Sequence, residues 1–168
     1  PKIVSKETSS KSIDSKTITI QHAELISKWI DRLEITDKIK NSYEFKLILR
    51  GSRDGFSPMK DSNEILGGYN PIMWTSNIIV GVTRDSFIFS FKNKENIENC
   101  ILSRVKYENY AIENHPLLGP SFGDGDLRLC GKYWGRCNSS RIYDNFIRVT
   151  GDTFSIEEYE IFQIIKID

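Results

Sequence analysis

The 168-residue chain carries 23 Lys and Arg against 23 Asp and Glu and is 39% hydrophobic, the composition expected of one soluble domain. A chain of this size buries roughly 70% of its unfolded surface, so a single core needs neither a metal nor a disulfide to hold it. Zero net charge excludes the basic footprint of general nucleic-acid or anionic-membrane binding.

No early segment combines a basic start, an apolar run and a small-residue cleavage site, and no stretch reaches about 18 consecutive apolar residues, so neither secretion nor membrane insertion is expected. Cys100, Cys130 and Cys137 are odd in number and lack a C-x-x-C spacing, which predicts reduced thiols and a cytoplasmic location. The chain opens Pro1-Lys2-Ile3 without a methionine, which predicts a piece of a longer polypeptide or a processed product.

Residues 1–16 are rich in Ser, Lys and Thr, with too little apolar material to offset the entropy of ordering, and are expected to be a disordered linker. Over 17–40, Ala23, Leu25, Ile26, Trp29, Ile30 and Leu33 recur at helical spacing, predicting a helix of about three turns with one apolar stripe. Glu24 and Lys28 lie at i,i+4 on its polar face, and His22 falls off the stripe. From Tyr43 the period becomes two: Tyr43, Phe45, Leu47 and Leu49 alternate with Glu44, Lys46, Ile48 and Arg50, the pattern of a strand buried on one face.

Strands are also expected at Glu64 to Leu66, running into Gly67-Gly68, and at Phe87, Phe89 and Phe91, whose rings share one face. Ile78 to Val82 is a short apolar run. Weaker strands follow at Ile101 to Tyr107 and Tyr110 to Ile112, then a glycine-rich loop at 119–125. Asp126 to Cys130 should place Leu127 and Leu129 inward, residues 131–145 are turn-like, and Tyr159, Ile161, Ile164 and Ile165 lie in a final strand. Many short strands, one clear helix and no βαβ alternation predict a β-rich α+β fold, a two-sheet antiparallel sandwich with peripheral helices.

Candidate chemistry is sparse. Gly67-Gly68 and Gly123-x-Gly125 precede no Lys-Ser/Thr and fit no dinucleotide fingerprint, so turn geometry explains them. His22 and His115 show no metal-ligand spacing, and no metal or cofactor is expected. A G-x-S-x-G elbow is missing. Cys130 or Cys137 beside Lys132 and Arg136 could be a reactive thiol, with His115 as a base, and Asp124, Asp126, Glu157, Glu158 and Glu160 could serve acid/base work, although solvated faces explain most such acids.

Arg50-Gly51-Ser52-Arg53-Asp54-Gly55-Phe56, Gly67-Gly68-Tyr69-Asn70, Asp85 to Phe91, Pro120 to Leu127 and Glu160-Ile161-Phe162 together resemble the ordered motifs of the TLDc domain, over roughly residues 43 to 165. The preceding helix, with His22-Ala23-Glu24-Leu25-Ile26 and Trp29-Ile30, looks like the linker helix of fungal proteins joining a BTB module to a TLDc domain. The resemblance implies a TLDc-like sandwich over 43–168, no established reaction, a role in oxidative-stress protection, and binding to the vacuolar proton ATPase or, through an upstream BTB module, to a cullin scaffold. It places the family's glycine and acidic positions on Gly55, Gly68, Gly123, Asp126 and Glu160, in structural roles. TLDc domains hold a helix and a strand between the positions of Pro58 and Gly67, where this chain has only Met59 to Leu66, so both are deleted here. Three functions follow: a non-enzymatic interaction module, a thiol-dependent or hydrolytic enzyme using Cys130 or Cys137, or a truncated and marginally folded copy.

Overall fold

The computed structural model describes residues 12–52, 63–131, 134–138, 142–148 and 153–167. In chain order the elements are α1 (Ile20–Ile30), β1 (Ser42–Ser52), β2 (Ile65–Tyr69), β3 (Ile79–Gly81), β4 (Phe87–Phe91), β5 (Cys100–Arg104), a 3-10 turn at Glu108–Tyr110, β6 (Ile112–Asn114), β7 (Ser121–Phe122), β8 (Leu127–Cys130), β9 (Trp134–Arg136), β10 (Thr153–Ser155) and β11 (Glu158–Ile167). All pairings are antiparallel: β1 with β11, a three-stranded sheet β2-β4-β5, and a six-stranded sheet β10-β9-β8-β7-β6-β3. Among the described residues the fold is β-rich with one α-helix, an arrangement that fits a sandwich.

Helix α1 starts in a capping box. Thr19 stands at the N-cap and His22 at the third position returns the bond, its Nδ1 accepting from Thr19 N at 3.1 Å. His22 is buried rather than off the stripe: the cap takes up Nδ1, the ring meets Phe91 edge-on at 4.4 Å, and Nε2 is buried without a hydrogen-bond partner among the described residues. The helix ends in a Schellman motif: Leu33 N bonds Lys28 O, Arg32 N bonds Trp29 O, and Arg32 takes the left-handed φ of 56° usually left to glycine. Lys28 reaches Ile35 O, and among the described residues it forms no ion pair with Glu24.

The helix packs its Leu25, Ile26 and Trp29 onto Phe87, Phe89 and Phe91 of β4, with Phe45, Phe162 and Ile164 of the β1-β11 pair completing this first core. The helix thus contributes Leu25, Ile26 and Trp29 to this core. A second core gathers Ile88, Ala111, Ile112, Phe122, Cys137, Tyr143 and Ile147. Ile88 belongs to the same strand as the three phenylalanines, so β4 is buried on both faces instead of one.

Other expectations meet different outcomes. A register shift between Leu47 and Leu49 breaks the alternation of β1, leaving both Ile48 and Leu49 exposed. Residues 108–110 form the 3-10 turn, and the strand begins at Ile112. Leu127 and Leu129 are half-buried, whereas Cys130 is buried. Of the N-terminal linker, residues 1–11 lie outside the described residues, while Ser15 and Lys16 are held against β11. Gly55 and the deletion expected between Pro58 and Gly67 fall on residues that lie, up to 62, outside those described; 63 and 64 lead into β2, which begins at Ile65.

Because β4 serves both cores, removing Trp29 should weaken the whole domain. Trp29→Ala is expected to cost about 3–5 kcal/mol and to lower one shared transition, followed by Trp fluorescence and far-UV circular dichroism in parallel. Two separate melts would instead uphold the reduced cooperativity expected of a shortened copy.

Candidate functional site

Among the described residues, strand β3 lies at the edge of the six-stranded sheet and pairs on one side only, with β6. Its register sets Val80 opposite Glu113 and Gly81 opposite Ile112. Gly81 and Ile112 point to the core, where a Cβ on Gly81 would come within 2.7 Å of Ile72 Cδ1. Alternation therefore turns Val80 and Glu113 to the outer face. Ile78, Ile79, Val80 and Val82 are 72, 51, 49 and 56% exposed. With Tyr110, Asn114, Gly123, Asp124 and Ile142, the Ile78–Val80 segment and Glu113 line an open groove of about 450 Å³.

The far wall of that groove is a rigid turn. Gly123 and Gly125 adopt φ of 62° and 85°, and a Cβ on Gly123 would lie 2.0 Å from Asp126 Oδ2. Gly123 N donates to Ala111 O at 2.8 Å, Asn138 N to Gly125 O at 2.7 Å, and buried Asp126 accepts from Tyr143 N at 3.4 Å. This pinning leaves Asp124 exposed on the rim, without an ion pair among the described residues. Glu113, by contrast, is taken by Arg128.

Beneath the groove Tyr143 ties the layers together. Its hydroxyl lies 2.9 Å from Ala111 O and 2.7 Å from Ser86 Oγ, which itself lies 2.9 Å from Tyr69 O. Two hydroxyl hydrogens serve three contacts, so two are hydrogen bonds at any moment. Burial pushes the Tyr143 phenol well above its ordinary range, so it stays protonated. Residues 131–145 read as turn-like because nothing in their local pattern signals a tyrosine that bonds 32 residues upstream.

The described family positions fall in separate parts of the fold. Gly123 and Asp126 build the groove wall. Gly68 lies in β2, where a Cβ would stand 2.5 Å from the Phe122 ring. Glu160 lies in β11 with its carboxylate almost fully buried, accepting from Arg50 Nε at 2.8 Å, Ser15 Oγ at 2.5 Å and the backbone N of Lys16 and Thr17 at 2.8 and 3.3 Å. Burial alone would raise its pKa, but the bonds from Ser15, Lys16, Arg50 and Thr17 outweigh it and hold the acid at about 2.

The thiols are poorly placed for chemistry. Cys137 and Cys130 are buried, and burial pushes Cys137 up to about 12 despite Arg148. Cys130 is also raised by burial, against the opposing pull of Arg128 and Arg136, so the expected activation by Arg136 loses to desolvation. Lys132 lies outside the described residues, and His115 Nδ1 accepts from Leu117 N. Among the described residues, no three His, Cys, Asp or Glu side chains gather where they could hold a metal.

Two outcomes are expected. Iodoacetamide at neutral pH should label Cys130 and Cys137 more slowly than free cysteine, by about tenfold or more, because so little thiolate is present; faster labelling would restore the thiol enzyme. Glu160 has a folded pKa below its ordinary 4.5, so its stabilisation is complete above that value and lost as pH falls toward about 2. In acid denaturation followed by circular dichroism, Glu160→Gln should flatten that limb and cost roughly 2 kcal/mol at neutral pH. Comparison of the chain with family models, curated proteins and solved structures finds no match.

Proposed function

We propose that the chain is a non-enzymatic, TLDc-like protein-interaction module acting in the cytoplasm as part of a BTB-containing adaptor. Its partner is the vacuolar proton ATPase or, through the upstream BTB module, a cullin scaffold, in the setting of oxidative-stress protection. The observation that carries an interaction role is the apolar edge of β3 with its groove. Four consecutive or near-consecutive aliphatic side chains stand about half exposed or more beside a preformed cleft, where a chain selected only to stay monomeric would carry charge. The family and the two partners rest on the order of the five sequence motifs.

The burial of Cys130 and Cys137 favours this reading over the thiol-enzyme alternative. No helix among the described residues is long and apolar enough to cross a membrane, so the exposed aliphatic strip does not belong to a spanning helix. In pull-downs with intact proton-ATPase subunits, and separately with a cullin scaffold using the chain in its longer context, at least one is expected to be retained. Binding to neither removes both named partners.

A further inference from the structure

We propose that the free edge of β3 receives an extended segment of a partner protein by strand addition, with an aliphatic side chain seated in the groove and a lysine or arginine set against Asp124. This deepens the interaction-module reading and rests on it.

The first support is the edge itself. Its backbone pairs with β6 on one side, and no described strand covers the other. Ile79 N already donates to Asn77 O and Ile79 O accepts from Asn114 Nδ2, so the groups an extended chain can meet are those of Val80 and its neighbours on the open side; folded proteins normally guard such an edge with lysine, proline or a bulge. Residues Ile78, Ile79, Val80, Gly81 and Val82 contain no charge and no proline. The opposite edge of the same sheet, β10, presents exposed Thr153 and Ser155 instead. Main-chain pairing supplies affinity in strand addition, and pockets for alternate side chains supply selectivity. The groove beside Val80 is such a pocket.

Charge decides the occupant. Asp124 stands on the groove rim without a cation among the described residues, held there by the Gly123 and Gly125 turn. Two described basic groups flanking the groove are already committed, Arg84 to Glu108 and Arg128 to Glu113. A second copy of this chain pairing β3 with β3 would match apolar to apolar, but among the described residues the cations flanking its groove, Arg84 and Arg128, are already paired and bring nothing to Asp124. A segment with one basic residue completes the rim, and an acidic one is repelled.

The test uses the whole chain and a fluorescent peptide of about nine residues, alternating valine and threonine with one central lysine, read by anisotropy. Saturable binding is expected, with the lysine-to-glutamate peptide weaker by about tenfold or more. That preference should collapse in Asp124→Asn, and binding should be lost in Ile78→Lys, whose exposed position leaves the fold intact by circular dichroism. Methylating alternate peptide amides should abolish binding in one frame and spare it in the other, since only one set faces β3.

Equal effects of the two methylation frames, or a charge preference that survives Asp124→Asn, would overturn the inference. So would concentration-dependent dimerisation by sedimentation that Ile78→Lys abolishes, which would make a second copy the occupant. If the ATPase or cullin pull-down succeeds and Ile78→Lys leaves it unchanged, the groove inference falls while the interaction module stands. If the peptide binds as described and both pull-downs fail, the named partners fall while the groove stands.

Discussion

Every residue from Phe87 to Phe91 is buried, and the rest of the architecture follows from covering both faces of that one strand. Side chains alternate across a strand, so β4 cannot lie at a surface: it needs a layer against its phenylalanines and another against Ile88. On the first face Trp29 stacks on Phe91 at 5.7 Å and meets Phe87 edge-on at 6.0 Å. Large rings in offset or edge geometry contribute beyond the area they bury, which makes α1 a structural necessity for this sheet. On the second face, the hydroxyl of Ser86, one residue before the strand, binds Tyr143, so the six-stranded sheet is attached by polar contacts as well as by packing.

Much of this was legible in the residues. The three-turn helix lies where the apolar spacing puts it, and the Phe87, Phe89, Phe91 alternation marks the central strand. What escaped depends on long-range partners. The burial of Ile88 cannot be read from its own neighbourhood, because a single apolar residue between two phenylalanines is equally compatible with solvent. His22 reads as polar until its cap with Thr19 satisfies Nδ1. The bulge at Ile48 carries no glycine to announce it. Of the groove, the apolar run Ile78 to Val82 and the glycine turn were each visible, but their meeting across β6 and β7 was not.

Glu160 shows how a neutral chain uses charge. Its carboxylate is buried in β11 opposite Arg50 in register, and it takes two backbone N–H groups from Lys16 and Thr17. A buried carboxylate with that many donors is held ionised, and breaking the set would leave a buried charge uncompensated. The segment entering α1 is thereby fastened to the far end of the chain, 143 or more residues away in sequence. Ser15 and Lys16 read as linker by composition, yet their order derives from a partner that composition cannot name.

The two ends of the six-stranded sheet obey different rules. At the other end, β10 presents exposed Thr153 and Ser155, and on the neighbouring β9 the exposed Arg136 bonds Asn138. At β3 the charges stop: Val80 lies opposite Glu113, but the strand itself offers only aliphatic groups to water. An uncharged edge of this kind is a hazard for self-association, and its shortness, three paired residues, limits that hazard without removing it. Asp124 supplies the missing discrimination. A carboxylate beside an apolar edge repels acidic segments and gives no gain to neutral ones, so the same residue that leaves the groove incomplete also decides what can complete it.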